Sequence, residues 1–342
     1  MSTADAGKKG LVTVKTIRWG IIGTGDIAHR FAQACKNTKG ASLEAVASRS
    51  SEKSEKFAEE FGIKHHFGSY ETMAEWDGID IAYVATPHAT HGPFAMLFMN
   101  HGKAILSEKP ITVNCSELQK MIDCATENKV FMMEAMWARL TPGTIKMLEI
   151  VQSGAIGKVK GIQAAFCYDM SDEPGHHAFN PVYGGGSILD VGCYCLSFAS
   201  WHMDTPVVDI VAEAELGVTG VDVHCCYLLK YESGAIASLT SAMMLNKPGD
   251  GYIFGEKGYI KTKDRFYAPQ EFTVHIEGRE PQTYKCPFLG NGFEEQILEC
   301  NQCLREGKLE SGMIPHTQSM KIMKQMDEIR KKVGVKYPLD VD

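Results

Sequence analysis

Three side chains able to hold an oxyanion or move a proton stand in two short segments far apart in the sequence. Lys109 lies in Ser107-Glu108-Lys109-Pro110, directly after the apolar run Ala104 to Leu106. Asp190 and Tyr194 lie in Tyr183-Gly184-Gly185-Gly186-Ser187-Ile188-Leu189-Asp190-Val191-Gly192-Cys193-Tyr194, which reads as a glycine turn entering a helix with Ser187 as its cap. Four residues apart, Asp190 and Tyr194 share a helical face. Delivering a hydride to a carbonyl leaves negative charge on oxygen, and a positioned acid must then supply a proton. A tyrosine does so when a cation such as Lys109 lowers its pKa, and Asp190 can orient either partner. Residue type alone equally admits a partly buried Asp–Tyr pair and a surface lysine, so the chemistry depends on elements that gather the three.

Those elements are legible in the first half of the chain. Ile17 to Ile22 is a short apolar run, followed by Gly23-Thr24-Gly25-Asp26-Ile27-Ala28 and a helical pattern through about Thr38. Further strands are expected at Leu43 to Ala47, Asp80 to Ala85, Ala104 to Leu106 and Val130 to Met133. Helices fall between them: one from Ser51 with Phe57, Ala58 and Phe61 on one face, one near Pro93 to Asn100, and one marked by Leu118, Met121, Ile122 and Ala125. Strands separated by helix-length crossovers predict a parallel, doubly wound sheet that binds ligands at the carboxyl ends of its strands. The first turn fits G-x-G-x-x-A. Gly23 allows the tight turn, Gly25 allows a pyrophosphate to approach, and Ala28 lets helix pack on strand. The helix N-terminus then offers free amides to phosphates. The second strand ends Val46-Ala47-Ser48-Arg49-Ser50, without the acid that would accept from adenosine ribose hydroxyls. Ser48 and Arg49 can instead hold a 2′-phosphate, which favours NADP over NAD, unless Arg49 is simply a solvated loop residue.

Beyond about Arg139 the alternation gives way to strands at Lys158 to Phe166, Val207 to Ala214, Val223 to Tyr231, Ala235 to Ser241 and Tyr252 to Lys261. Glu232-Ser233-Gly234 makes a hairpin turn between two of them. Helices Phe293 to Glu306 and Thr317 to Lys332 close the chain. The reading is thus an α/β chain: a tail at residues 1–16, a Rossmann dinucleotide-binding domain at 17–137, and an α+β domain at 138–342 with a large open, mainly antiparallel sheet. A length of 342 residues suits two domains. The formal charge of −7 offers no general attraction to nucleic acid or anionic lipid. Eleven scattered cysteines, an odd number, suit a reduced cytoplasmic setting better than a disulfide framework. Cys300-Asn301-Gln302-Cys303 has a metal-like spacing, but it falls on a helical stripe with Phe293, Ile297 and Leu304, so no metal site is assigned.

Taken in order, Gly20-Ile21-Ile22-Gly23-Thr24-Gly25, Thr86-Pro87-His88-Ala89-Thr90-His91, Glu108-Lys109-Pro110 and Gly184 to Gly192 resemble the glucose-fructose oxidoreductase, inositol dehydrogenase and MocA family over about Ile17 to Pro338. Met133 to Arg139 and Cys303 to Ser311 resemble its dimeric dihydrodiol dehydrogenase branch, of NADP-dependent dehydrogenases of trans-dihydrodiols and pentoses. The resemblance implies a catalytic Lys109 and Tyr194 supported by Asp190, although the family often has His where this chain has Tyr194. It implies cofactor contacts from Gly23, Thr24, Gly25, Asp26, Ile27, Ser48, Arg49, Thr86, Pro87, His88, His91, Glu108 and Lys109, with Trp137 and Arg139 near the cofactor or the domain junction. It also implies a cis Lys109–Pro110 bond and a homodimer through the open sheet. The expected activity is NADP-dependent hydride transfer at a CH–OH or C=O group of a sugar, polyol or cyclic diol. An enzyme that keeps its cofactor bound, and a dinucleotide-sensing protein without turnover, stay open as alternatives. The loop Asp172 to His177 stands outside the expected site, because its two histidines fit an exposed loop as well as a substrate contact.

Overall fold

The computed structural model describes residues 15–340 apart from 172 and 174. Most of the expected tail, and Asp172 and Pro174 of the histidine loop, lie outside the described residues. The first half alternates β1 (Ile17–Ile22), α1 (Asp26–Asn37), β2 (Ala41–Ala47), α2 (Ser51–Phe61), β3 (His65–Phe67), α3 (Tyr70–Glu75), β4 (Ile81–Val84), α4 (His91–Asn100), β5 (Ala104–Ser107), α5 (Cys115–Asn128) and β6 (Met132–Glu134). The strands form one parallel sheet in the order β3-β2-β1-β4-β5-β6. Strand order reverses across β1, so a crevice opens beyond the carboxyl ends of β1 and β4. β3 and α3 are absent from the sequence reading. A three-residue edge strand and a six-residue helix are too short to declare a period.

The turn from β1 to α1 shows why glycine stands there. Gly23 has φ +102°, and a Cβ at that position would lie 2.5 Å from the Ala85 carbonyl oxygen. Ala28, fully buried, lets α1 sit close to β1. On α2, Phe57, Ala58 and Phe61 form the buried face, and the Ser50 hydroxyl accepts from the Lys53 amide as the N-cap.

The second half contains α6 (Pro142–Gln152), β7 (Val159–Cys167), α7 (Cys193–His202), β8 (Val207–Leu216), β9 (Asp222–Tyr231), β10 (Ile236–Ala242), β11 (Gly251–Gly255), β12 (Gly258–Thr262), β13 (Glu271–Ile276), β14 (Gln282–Lys285), α8 (Glu294–Arg305) and α9 (His316–Val333). The eight strands run β14-β13-β12-β11-β7-β10-β9-β8, antiparallel except for the β7–β10 pair. The Glu232 to Gly234 turn is present, closed by the Tyr231 amide on the Ala235 carbonyl at 2.9 Å. The single run expected at Tyr252 to Lys261 divides into β11 and β12, because Glu256-Lys257 makes a tight reversal inside it. β13 and β14 escaped the reading, since threonine, histidine and glutamine dilute their alternation.

One face of this sheet is covered, chiefly by α7 and α9, and buries Cys225, Tyr227 and Leu229 of β9. The other face leaves Val211, Leu228, Ile236 and Phe254 exposed. Cys300 and Cys303 lie buried in α8. The same helix ties the two halves together where the Trp19 indole donates to Asn301 Oδ1 at 3.0 Å. The Lys109–Pro110 bond is cis.

Candidate active site

A cleft of about 530 Å³ runs along the carboxyl ends of the parallel strands and continues under the glycine turn of the second half. Gly23, Thr24, Gly25, Asp26 and Ile27 form its floor. Gly25 is the N-cap of α1 and makes no side-chain cap bond; the Ala28 amide donates to its carbonyl, and the Asp26 and Ile27 amides are left to a ligand. A Cβ added at Gly25 would meet nothing within 4 Å, which is the open cradle a pyrophosphate requires. Ser48 and Arg49 line the far end, joined by Lys53 from the first turn of α2 and by Tyr70. No acid lies among these four, so the residues present suit a 2′-phosphate.

Thr86, Pro87, His88, His91 and Glu108 continue the wall. His91 is wholly buried, with Nε2 2.7 Å from the Thr86 carbonyl and Nδ1 2.9 Å from that of Pro110. Burial lowers its pKa to about 4, against the two carbonyls, which favour the protonated ring. As a neutral ring it has one N–H, which it donates to one of these two carbonyls while packing against the other. Glu108 accepts from the Tyr83 hydroxyl and from the Lys109 amide, and burial raises its pKa.

At the other end, Lys109 Nζ donates to the Asp190 carbonyl at 2.7 Å and to Asp190 Oδ1 at 2.9 Å. Its third N–H is left for a ligand. Tyr168 donates to Asp190 Oδ2, and His88 Nε2 stands 3.9 Å from Oδ1. Burial opposes both charges of the pair. Even so, Asp190 holds the Lys109 pKa well above the usual lysine value, while the Lys109 charge, with the Tyr168 hydrogen bond, holds the Asp190 carboxyl below the usual carboxylate range. His88 is pushed by burial to about 3. As a neutral ring it donates from Nδ1 to the Gly184 carbonyl at 2.9 Å, pinning the glycine turn to the Rossmann half.

Asp190 and Tyr194 do not share a regular helical face. Ile188–Gly192 forms a π-turn ahead of α7, widening the helix at the carboxylate, as such insertions often do at functional sites. Ser187 is no cap. Its hydroxyl donates to Asp222 Oδ2 at 2.7 Å, and the same oxygen takes the Ile188 amide at 2.7 Å.

Tyr194 is 6% exposed and is not part of the cleft wall, but Lys109 Nζ lies 5.2 Å from its ring centroid. Trp137, expected near the cofactor or the domain junction, is buried between the two halves and donates to the Tyr194 hydroxyl at 3.0 Å. Arg139, expected beside it, lines a separate small cavity with Ser197 and Trp201. The turn Trp137–Leu140 carries the chain away from β6, which removes both residues from the cleft.

A family model described as an oxidoreductase family with an NAD-binding Rossmann fold matches residues 17–136, and that family's C-terminal domain matches 144–261. The chain belongs to the GFO/IDH/MocA oxidoreductase family. Mouse trans-1,2-dihydrobenzene-1,2-diol dehydrogenase is 34% identical, aligned over 95% of this chain and 99% of its own. D-xylose 1-dehydrogenase (NADP(+)) of Hypocrea jecorina is also 34% identical, over 94% and 93%. Among solved structures, an aldose-aldose oxidoreductase from Caulobacter crescentus superposes with a TM-score of 0.86 at 22% identity, covering 94% of this chain and 98% of that one. A 3-ketoreductase from Actinomadura kijaniata, in complex with NADP and TDP-benzene, gives 0.85 at 23% identity, covering 93% and 98%. The last two establish the fold alone.

Within this GFO/IDH/MocA oxidoreductase, several cleft residues escaped the sequence reading. Nothing local sets Lys53 apart from a helix-surface lysine, or Tyr70 from a core aromatic. Tyr168 reaches Asp190 only because β7 ends beside the glycine turn. His176 and His177 do line the cleft, together with Tyr183. Their doublet was the available signal, and sequence alone could not say which way the loop folds.

Proposed function

We propose that the chain is an NADP-dependent dehydrogenase or reductase of a sugar, polyol or cyclic diol, with Lys109, Asp190 and Tyr194 as its reacting centre. The observation that carries this reading is a single cleft with two ends. One end offers free helix amides and a serine–arginine–lysine cluster without an acid, and the other holds a buried ammonium whose third N–H is unused. The two halves meet there, with the dinucleotide unit at 17–137 and the substrate unit at 138–342.

When bound, the nicotinamide accepts a hydride from the substrate CH–OH, or donates one to its C=O. Lys109 donates its third N–H to the substrate oxygen and stabilises the charge that develops there. Asp190 fixes the ammonium by two contacts and is itself held by the Tyr168 hydroxyl. As the phenolate, Tyr194 takes the hydroxyl proton on oxidation; as the phenol, it gives that proton back on reduction. Its hydroxyl oxygen accepts from Trp137, and among the described residues none accepts its O–H, so that proton is available to a ligand. Burial pushes the phenol up, Lys109 draws it back, and Glu108 opposes Lys109. Ser48, Arg49 and Lys53 hold the 2′-phosphate, and Tyr70 packs beneath the adenosine end.

The exposed sheet face, with Val211, Leu228, Ile236 and Phe254, pairs with a second copy to bury a surface too apolar to leave in water. All eleven cysteines are free, in keeping with the cytoplasm. The test is a panel of aldoses, polyols and trans-dihydrodiols with NADP, followed through nicotinamide absorbance for the parent and Lys109→Met. Turnover of one class by the parent and its loss in the variant is expected. Tight NADP binding without turnover across the panel would turn the assignment into a sensor.

A further inference from the structure

Tyr194 is buried on the side away from the cleft by an aromatic group to which the reaction so far gives no role. The Trp137 indole N–H, 3.0 Å from the Tyr194 oxygen, is its one hydrogen-bond partner among the described residues. The donor is held rigidly. Trp137 is 5% exposed, stacks on Phe293 at 5.3 Å between centroids, and meets Phe288 and Tyr267 edge-on. Gly292, at φ +91°, passes so near that a Cβ there would lie 2.9 Å from the indole edge. Arg30, on the dinucleotide-binding helix α1, places its guanidinium 4.8 Å from the Phe293 ring and 5.9 Å from that of Trp137. The indole is thereby clamped from both halves of the molecule.

Indole Nε1 can only donate. A phenol that receives this bond has one lone pair committed, and its own proton must turn elsewhere. The same bond strengthens when the phenol becomes a phenolate, because a charged acceptor binds a donor more tightly than a neutral one.

We propose that Trp137 is the positioning residue of the proton-transfer step: its indole N–H fixes the Tyr194 hydroxyl with its proton directed to the substrate oxygen and stabilises the phenolate that accepts a proton during alcohol oxidation. Trp137 does not line the cleft and acts through Tyr194. This rests on the reading of Tyr194 as acid and base. It also explains why Trp137 lies off the cleft wall in a slot that admits no freedom of rotation. The electrostatic sense agrees, since the indole and Lys109 both favour the phenolate against burial.

Trp137→Phe keeps an aromatic ring in the slot and removes the N–H. Alcohol oxidation near neutral pH should fall about 10- to 100-fold, the range for a lost hydrogen bond to a charged group. The ionisation that governs the oxidative rate should move to higher pH, while NADP affinity and substrate KM stay at the parent values. Where Trp137→Phe does not fold, Trp137→Leu is read in the same way, because it keeps the slot apolar and carries no donor toward Tyr194. An unchanged pH–rate profile in a folded variant, with Tyr194→Phe inactive, overturns the proposal. So does a loss confined to KM or to NADP affinity, which is the mark of a merely structural residue. If Tyr194→Phe turns over like the parent, the acid/base reading fails first and takes this inference with it.

Discussion

Lys109→Met removes the one cation that pairs with Asp190 while keeping the length and apolar stem of the side chain. The side chains of Lys109 and Asp190 are 14% and 24% exposed and joined at 2.9 Å. Stranding one partner of a fully buried ion pair costs about 3–5 kcal/mol. Asp190 keeps the Tyr168 hydroxyl and some solvent, so a loss of about 2–3 kcal/mol is expected. The companion variant Asp190→Asn and the double variant close a cycle. Because the double variant strands no charge, it should be more stable than the sum of the singles by about 1–3 kcal/mol. The pH dependence changes sign as well. In the parent, the Asp190 carboxyl is held below its ordinary pKa of 3.8, so its contribution is present above that value and is lost as the solution is acidified through it. Without Lys109, burial is the leading influence and raises the pKa, so the same carboxyl destabilises the fold as pH rises above the ordinary range. Urea unfolding of the four proteins from pH 2 to 8 reads both effects. Additive single losses with parallel pH curves would refute the argument that these two charges hold each other in place.

Arg49→Ala should weaken NADP by about 1–3 kcal/mol and leave NAD nearly unchanged, as titration of both cofactors will read; an equal loss for the two would remove the 2′-phosphate assignment. Asp222 is wholly buried, and burial raises its pKa to about 6, so its ionised form costs stability that is fully felt above pH 6 and relieved on acidification toward 3.8. Asp222→Asn should therefore lose a stability slope on the order of 3 kcal/mol between those values, in urea titrations at stepped pH. Leu228→Glu with Ile236→Glu places charges on the exposed sheet face and should convert a dimer to a monomer by light scattering; a parent already monomeric at micromolar concentration would contradict the pairing.

How far the sequence reached follows from how locally each feature is encoded. The β1 turn was legible because one glycine with positive φ, one open glycine and one buried alanine act within six residues. The long alternating strands β8 to β10 declared themselves by period, whereas β3, β13 and β14 are short or diluted at sheet edges. The convergence of Lys109 with Asp190 could be argued only from resemblance, since 81 residues separate them and nothing local marks the pairing. The π-turn at Ile188–Gly192 was invisible for a different reason: spacing of four suggests a regular helix, and the extra residue is accommodated by Asp222 from another strand. Trp137 could be read only as near the cofactor or the domain junction, because aromatic rings serve both cores and clefts. What decides its place is Phe293 and Gly292, more than a hundred and fifty residues further along the chain.

The central claim, that proton transfer at this centre runs through Tyr194, is tested most directly by single-turnover hydride transfer in Tyr194→Phe. The substitution preserves the ring against Lys109 and most of the packing, and removes only the hydroxyl. With cofactor and substrate saturating and NADP affinity shown to be intact, the hydride step should slow by about 10²-fold or more. If the variant transfers hydride as fast as the parent, Tyr194 is not the proton carrier, and His177 on the cleft wall takes its place.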